Sequence, residues 1–306
     1  MRPFGLTAPL GAWRPVDVLL VAYALLSSLV LGVGLARRVP GCGKQLLVNV
    51  AVLAVALLII RWSRDTANVF PTFLRFAYVP LLYFVFYHQI ETLWPVLRAA
   101  PLDGGLARME AGVFGGQPSL LFHPAVPLRW LSELFCFAYF AYYFFSPVVF
   151  LTVLYLRGYL VVERVVFATS LCFFSCYALF WLLPTVGPHF WFPPYKGPQL
   201  YDGYVFNHLL FFLTSGGEIR GGAFPSSHIA VALLLTLSAR RDAPRLFLPL
   251  ACITALMLPA VVYLRAHYAL DVPAGLLFGL LAYVAADKIQ GNPSPSPDAP
   301  HPHDPR

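Results

Sequence analysis

Two short segments in the last third of this 306-residue chain carry the residue types that acid–base and nucleophilic chemistry requires. The first reads Gly221-Gly222-Ala223-Phe224-Pro225-Ser226-Ser227-His228, and the second contains His267 and Asp271. Each lies at the end of a strongly apolar stretch. An ionisable side chain is costly at such a position unless it has a partner or a function.

The first segment is typical of a helix start. Pro225 followed by Ser226 and Ser227 predicts a capped amino terminus, where unpaired backbone N–H groups bind anions. Glycines 221 and 222 allow a ligand to approach the backbone closely. His228 would project from the first turn toward that ligand. The alternative is an ordinary capped helix whose histidine faces lipid head groups.

The second segment predicts an oriented imidazole. His267 and Asp271 are four residues apart, which places them on one face of a helix. A carboxylate beside one ring nitrogen fixes the tautomer and stabilises the imidazolium, as in a catalytic dyad. The alternatives are a surface ion pair or an Asp that caps a helix before Pro273. Taken together, the two segments favour one pocket in which the imidazoles converge with Ser226 between them, and this suggests phosphate chemistry.

The composition indicates a polytopic membrane protein. The chain is 59% hydrophobic and 11% charged, whereas a soluble domain carries about 25% charged residues. The net charge of +7 is spread over many loops, which excludes the concentrated basic patch of a nucleic-acid-binding protein. The five cysteines form no CxxC pair, and no carboxylate cluster suggests a metal site.

The hydropathy pattern predicts an all-α fold, a bundle of about eight transmembrane helices. A spanning helix needs roughly 20 apolar residues, and the candidate segments are 17–36, 45–62, 70–90, 128–156, 161–183, 226–240, 245–264 and 268–287. The fourth is long and contains Pro147, which predicts a kink or a tilt. With eight spans, the long connections 91–127 and 184–225 fall on the same face as the turn before His267. We expect residues 1–69 to be N-terminal membrane helices, 70–287 a catalytic core and 288–306 a disordered tail.

The distribution of basic residues predicts the orientation. Arginines crowd the short loops opposite the two motifs, so the positive-inside rule puts the motif face outside. The cluster Arg37, Arg38 and Lys44 argues for the reverse. We expect an integral protein of the plasma (inner) membrane with its site on the outer face and with membrane lipids as neighbours. The oligomeric state is left open.

The two motifs resemble those of the type 2 phosphatidic acid phosphatase superfamily. The resemblance covers about residues 70–287 and is carried by Pro225-Ser226-Ser227-His228 and by the segment from Tyr263 to Asp271. Residues 184–188 (PTVGP) and 113–115 (VFG) look more like the membrane branch of inositol phosphorylceramide synthases and their bacterial relatives. The implied fold is a six-helix phosphatase-like core with extra N-terminal helices.

The chain departs from the superfamily pattern at three points. The usual lysine and arginine of a first motif are absent, Ser227 replaces a glycine, and Val261 stands where an arginine is usual. The synthase-like branch tolerates such losses. We therefore expect other residues to bind the phosphate; the candidates, besides Lys196, are Ser226, Ser227, Arg265, Arg220 and His189.

The resemblance implies a metal-independent phosphotransfer with no cofactor. His267 attacks phosphorus to form a phosphohistidine, Asp271 orients its ring, and His228 protonates the leaving oxygen and then activates the acceptor. The expected partner is a lipid phosphate, and the acceptor is water for a phosphatase or an alcohol for a head-group transferase. One alternative is a catalytically inactive relative that binds or scrambles lipids. Another is a transporter that uses His228, His267 and Asp271 as a proton relay.

Overall fold

A computed structural model describes residues 13–64, 69–193, 203–214 and 219–291, and within those ranges every regular element is a helix. Lys196 and residues 292–306 of the predicted tail lie outside the described residues. The helices are α1 (Pro15–Ala36), α2 (Cys42–Arg64), α3 (Val69–Leu97), α4 (Asp103–Phe114), α5 (Pro118–Ala125), α6 (Arg129–Tyr142), α7 (Phe145–Arg157), α8 (Tyr159–Leu182), α9 (Pro188–Trp191), α10 (Phe206–Thr214), α11 (Ser227–Asp242), α12 (Pro244–Tyr263) and α13 (Asp271–Gln290).

The predicted polytopic helical fold is confirmed. Among the described residues, α1, α2, α3, α8, α12 and α13 are long and apolar enough to cross a membrane, and α6 with α7 makes a seventh span if the bent pair is counted as one. The bend of 48° falls just before Pro147, as predicted. Proline lacks the N–H that would continue the helical ladder, so the helix breaks there.

The predicted count of eight spans is not reached because α11 is short. The segment predicted at 226–240 does form a helix, but its 16 residues extend only about 24 Å, against a hydrocarbon core of about 30 Å. Instead α11 is surrounded by α7, α8, α12 and α13. It is therefore the central helix of the bundle.

Two glycines on α13 allow it to approach α11 closely. A Cβ at Gly275 would lie 2.6 Å from the carbonyl oxygen of Ser226, and a Cβ at Gly279 would overlap the carbonyl of Ala230. Small residues are the usual means by which membrane helices come into backbone contact. The approach fixes the start of α11 relative to the start of α13.

The long connections meet at one end of the bundle, as the alternation of spans predicted. Arg98 Nε donates to the Leu182 carbonyl at 2.8 Å, and the Leu102 amide donates to the Pro184 carbonyl at 2.7 Å. Trp94 Nε1 donates to the Arg220 carbonyl at 3.0 Å. These bonds tie 91–127 to 184–225 beside the start of α11.

Ion pairs hold the opposite end. Arg164 of α8 bonds Asp242 of α11 and reaches Asp287 of α13 at 2.6 Å. Arg241 joins the same Asp287 at 2.9 Å. Charges taken out of water need such paired, hydrogen-bonded partners.

The N-terminal helices pack on α3 through buried amides. Asn49 of α2 donates to Ser27 of α1 at 2.8 Å, and Gln89 of α3 donates to Asn49 at 2.8 Å. Interhelical hydrogen bonds of this kind hold membrane helices together. They connect the N-terminal helices to the rest of the bundle.

Candidate active site

The serine–histidine segment forms a helix start, as predicted. Ser226 is the N-cap of α11, and its Oγ accepts the Ile229 amide at 3.4 Å. Ser226 and Ser227 are buried, and His228 is half-buried in the first turn. The segment before this turn is hydrogen-bonded to Thr185, whose Oγ1 accepts the Phe224 amide at 2.8 Å.

His267 and Asp271 are brought together by a turn rather than by a shared helix. Asp271 is the first residue of α13, and His267 lies in the turn between α12 and α13. The prediction of a common helix face is therefore wrong, because the backbone leaves the helix at Arg265, which has a φ of 60°. The Val261 carbonyl accepts the amides of both Ala266 and His267 at 3.0 Å, which holds the turn.

The His267 imidazole has two acceptors on one nitrogen. Its Nδ1 lies 2.8 Å from the Ala223 carbonyl and 3.2 Å from Asp271 Oδ2. A carbonyl oxygen only accepts hydrogen bonds, so Nδ1 carries a proton, and in the neutral ring Nε2 presents a lone pair. Asp271 is itself fixed by the Tyr268 amide, which donates to Oδ2 at 2.8 Å.

The second imidazole lies directly against that lone pair. His228 Nδ1 is 3.2 Å from His267 Nε2, and the ring centroids are 5.4 Å apart. On its other side, His228 Nε2 is 3.1 Å from the hydroxyl of Tyr139. The structure thus joins Tyr139, His228, His267 and Asp271 in one hydrogen-bonded row at the start of α11.

An aspartate that the sequence reasoning missed supports this row. Asp103 is fully buried at the start of α4 and accepts the amides of Val186 at 2.8 Å and Gly187 at 2.9 Å. The hydroxyl of Tyr268 also donates to it, at 2.9 Å. Burial and the Asp103 carboxylate raise the pKa of that hydroxyl, which keeps it a donor.

A second missed carboxylate lies nearby on α4. Glu110 is buried, and its Oε1 accepts the Leu270 amide at 3.2 Å, directly before Asp271. Burial raises the pKa of Glu110 above its ordinary value. Asp103 begins α4 and Glu110 lies two turns further along it, within a stretch that the sequence predicts only as a long connection.

The predicted phosphate-binding residues in the described ranges lie at three positions. Ser226 and Ser227 lie at the histidine row. Arg220 and His189 are exposed and flank the ring of Phe190, the guanidinium at 5.4 Å and the imidazole at 5.1 Å from its centroid.

Arg265, two residues from His267, is buried and donates to the Pro193 carbonyl at 3.2 Å. Gly187, which starts the turn into α9, lies where a Cβ would be 3.3 Å from the Ala266 carbonyl. The α9 segment that carries His189 and Phe190 therefore packs beside the His267 turn. No three His, Cys, Asp or Glu residues in the described ranges are grouped so that they could hold a metal ion.

Comparison with models of protein families matches residues 105–285 to the family described as the PAP2 superfamily. The matched residues make up more than half of the chain and contain His228, His267 and Asp271. Comparison with curated proteins found no match, and comparison with solved structures found none.

Proposed function

Because the chain belongs to the PAP2 superfamily, a superfamily of phosphatase-type enzymes, we propose that it transfers the phosphoryl group of a lipid phosphate through a phosphohistidine at His267. The observation that carries this proposal is the row Asp271–His267–His228. It presents one unprotonated ring nitrogen to a second imidazole across 3.2 Å. A nucleophile, its orienting carboxylate and an acid–base group are then in mutual contact.

The proposed reaction has two steps. In the first, His267 Nε2 forms a bond to phosphorus, the bond from phosphorus to the lipid oxygen breaks, and that oxygen takes a proton from His228. In the second, His228 accepts a proton from the acceptor, whose oxygen displaces His267. Asp271 stabilises the positive charge that His267 acquires.

Substrate entry requires the rings to separate. A 3.2 Å contact between Nδ1 and Nε2 leaves no room for a phosphoryl group between them. The phosphate displaces this hydrogen bond, so that its phosphorus faces the lone pair of His267 Nε2 and one of its oxygens accepts a hydrogen bond from His228 Nδ1.

Several donors would hold the equatorial phosphate oxygens. Ser226, Ser227 and the backbone amides at the start of α11 lie next to His228 in the chain, and a helix amino terminus attracts anions. Arg265, Arg220 and His189 are the candidate cations, since the usual Lys and Arg are missing. Because Arg220 and His189 flank Phe190 in the present state, we propose that they bind the head group rather than the reacting phosphate.

The substrate is proposed to be a lipid because the site lies at one end of an apolar bundle. A phosphate on an acyl or polyprenyl tail can keep its tail among the membrane-exposed helices while its head reaches the start of α11. By the positive-inside rule this end faces the outside of the plasma (inner) membrane. The core is proposed to begin near residue 70, with α1 and α2 as the extra helices.

The acceptor decides between two activities of the same site. Water gives a lipid phosphate phosphatase, and an alcohol gives a head-group transferase of the synthase-like branch. An inactive relative that binds or scrambles lipids is the second candidate, favoured by the missing phosphate-binding Lys and Arg.

The test uses purified protein in detergent with a panel of phosphatidic acid, polyprenyl phosphates and phosphosphingolipids. Free phosphate and new phosphodiester are both measured, with and without chelator. His267→Ala is expected to abolish both products, while the exposed His208→Ala keeps them. Turnover that survives in His267→Ala rejects the proposal, and scrambling without turnover in the wild type favours the inactive relative.

A direct test seeks the covalent intermediate. Protein quenched during turnover of a phosphatidic acid should carry an acid-labile, alkali-stable phosphate on the peptide containing residue 267. His228→Asn should slow both its formation and its decay. Phosphate on a serine peptide instead would assign the nucleophile to Ser226 or Ser227 and overturn the role of His267.

A further inference from the structure

Three tyrosines at the carboxyl end of α6 surround His228. The ring centroids of Tyr139 and Tyr142 both lie 5.0 Å from that of the imidazole, and the centroid of Tyr143 lies at 6.4 Å. Among the described residues, these tyrosines and His267 are the titratable groups in contact with His228. Tyr139 differs from Tyr142 in that its hydroxyl lies 3.1 Å from His228 Nε2.

The hydrogen-bonded row sets which nitrogens of the two imidazoles donate and which accept. The Ala223 carbonyl can only accept, so His267 Nδ1 is protonated and His267 Nε2 accepts. His228 Nδ1 must then donate to it. The remaining nitrogen, His228 Nε2, faces Tyr139, and a tyrosine hydroxyl can either donate or accept there.

We infer that Tyr139 is a positioning residue for the phosphotransfer, which holds His228 with Nδ1 directed at the leaving oxygen of the substrate. This inference rests on the proposed function. The sequence predicted no role for this tyrosine, since it lies in a run of aromatic residues that is typical of helix packing. The bend between α6 and α7 brings the end of α6 beside the start of α11.

The hydroxyl suits both protonation states of the cycle. As an imidazolium, His228 donates from Nε2 to the Tyr139 oxygen and gives its Nδ1 proton to the leaving oxygen. Neutral His228 then keeps the Nε2 proton on Tyr139, and its bare Nδ1 takes the proton of the incoming water or alcohol. Tyr139 keeps its own proton throughout, so it acts only through His228.

The test compares Tyr139→Phe with the matched control Tyr142→Phe, which changes a tyrosine whose contact with His228 among the described residues is through its ring. Two substrates are used in the same mixed detergent micelles: dioleoyl phosphatidic acid and para-nitrophenyl phosphate. An alkoxide needs a proton to leave, whereas nitrophenolate leaves without one. The measured quantity is kcat/KM, which reports the step that forms the phosphohistidine.

For Tyr139→Phe, kcat/KM on phosphatidic acid should fall about tenfold, the equivalent of one hydrogen bond to a charged group. The value on para-nitrophenyl phosphate should stay nearly unchanged. The alkaline limb of the phosphatidic acid profile should move to lower pH, because the imidazolium loses its acceptor. Tyr142→Phe should alter the two substrates equally and leave the profile in place.

An equal loss on both substrates, or no loss on either, overturns the inference while leaving the proposed function intact. If the wild type turns over neither of these substrates nor any other lipid phosphate of the panel, the proposed function fails and a second readout decides. In protein with ¹⁵N-labelled histidine, Tyr139→Phe should shift the Nε2 resonance of His228, assigned by its loss in His228→Asn. An unchanged His228 resonance overturns the inference without any reference to activity.

Discussion

Nδ1 of His228 lies 3.2 Å from Nε2 of His267, although 39 positions separate the two residues in the chain. The contact exists because α11 and α13 approach at their amino-terminal ends, where Gly275 leaves room for the Ser226 carbonyl. This imidazole pair is held by its outer partners. Asp271 and the Ala223 carbonyl fix one ring, and Tyr139 fixes the other.

Replacement of Asp271 by Asn should abolish most of the proposed activity with little loss of fold. The amide keeps the shape but can present an N–H to His267 Nδ1, which favours the tautomer whose Nε2 has no lone pair. We expect kcat to fall by about 10²- to 10⁴-fold, measured as phosphate released from phosphatidic acid. The unfolding temperature of the same sample serves as the control, and full turnover would contradict the assigned role of the carboxylate.

Replacement of Asp103 by Asn should weaken the support beneath the histidine row. The carboxylate accepts from two amides and the Tyr268 hydroxyl, and an amide group cannot accept all three. We expect a loss of about 1–3 kcal/mol in the free energy of unfolding, together with lower kcat. Both are measured in one detergent.

The matched control for that experiment is Tyr268→Phe. It removes a single donor and leaves both backbone bonds to Asp103 in place, so its effect should be the smaller of the two. A loss in Tyr268→Phe as large as that in Asp103→Asn would mean that the aspartate does not anchor the 185–187 loop.

Much of the bundle could be predicted because the membrane imposes long apolar runs. The predicted segments 17–36, 45–62 and 161–183 lie within helices α1, α2 and α8 to within a residue. The serine–histidine motif predicted a helix start, which depends on local capping alone. The meeting of the long connections followed from the alternation of spans.

The features that the sequence did not predict depend on packing between residues that are far apart in the chain. Tyr139 is one of 16 tyrosines, and only the approach of α6 to α11 distinguishes it. Asp103 lies 165 positions from Tyr268, so no spacing rule links them. The spacing of four residues between His267 and Asp271 predicts a helix. The structure has a turn there instead, because the backbone of Arg265 adopts a left-handed conformation.

Replacement of Gly279 by Ala adds only one methyl group but should destabilise the helical bundle. The added methyl would overlap the Ala230 carbonyl, and backbone must move to admit it. We expect a loss of about 1–3 kcal/mol in the free energy of unfolding. Gly32→Ala on α1 is the control, since a Cβ there meets nothing within 4 Å; equal losses in the two variants would contradict the close contact of α11 with α13.

The pH dependence of stability should reveal Glu110. Burial raises its pKa above the ordinary value of 4.5, so the folded chain holds this proton at pH values where the unfolded chain has released it. The contribution of Glu110 to the free energy of unfolding is therefore complete at pH values below its pKa in the unfolded chain. It is lost as the pH rises through the raised pKa of the folded chain. The wild type should become easier to unfold across that interval.

Glu110→Gln removes this dependence and keeps an oxygen that can accept the Leu270 amide. The variant should match the wild type near pH 4 and exceed it in unfolding temperature by a margin that grows as pH rises toward neutrality. Thermal unfolding followed in one detergent across that range measures the difference. A margin that is constant with pH, or that favours the wild type at neutral pH, would show that the ionised carboxylate is stabilised in place, with its charge balanced by the amides before Asp271.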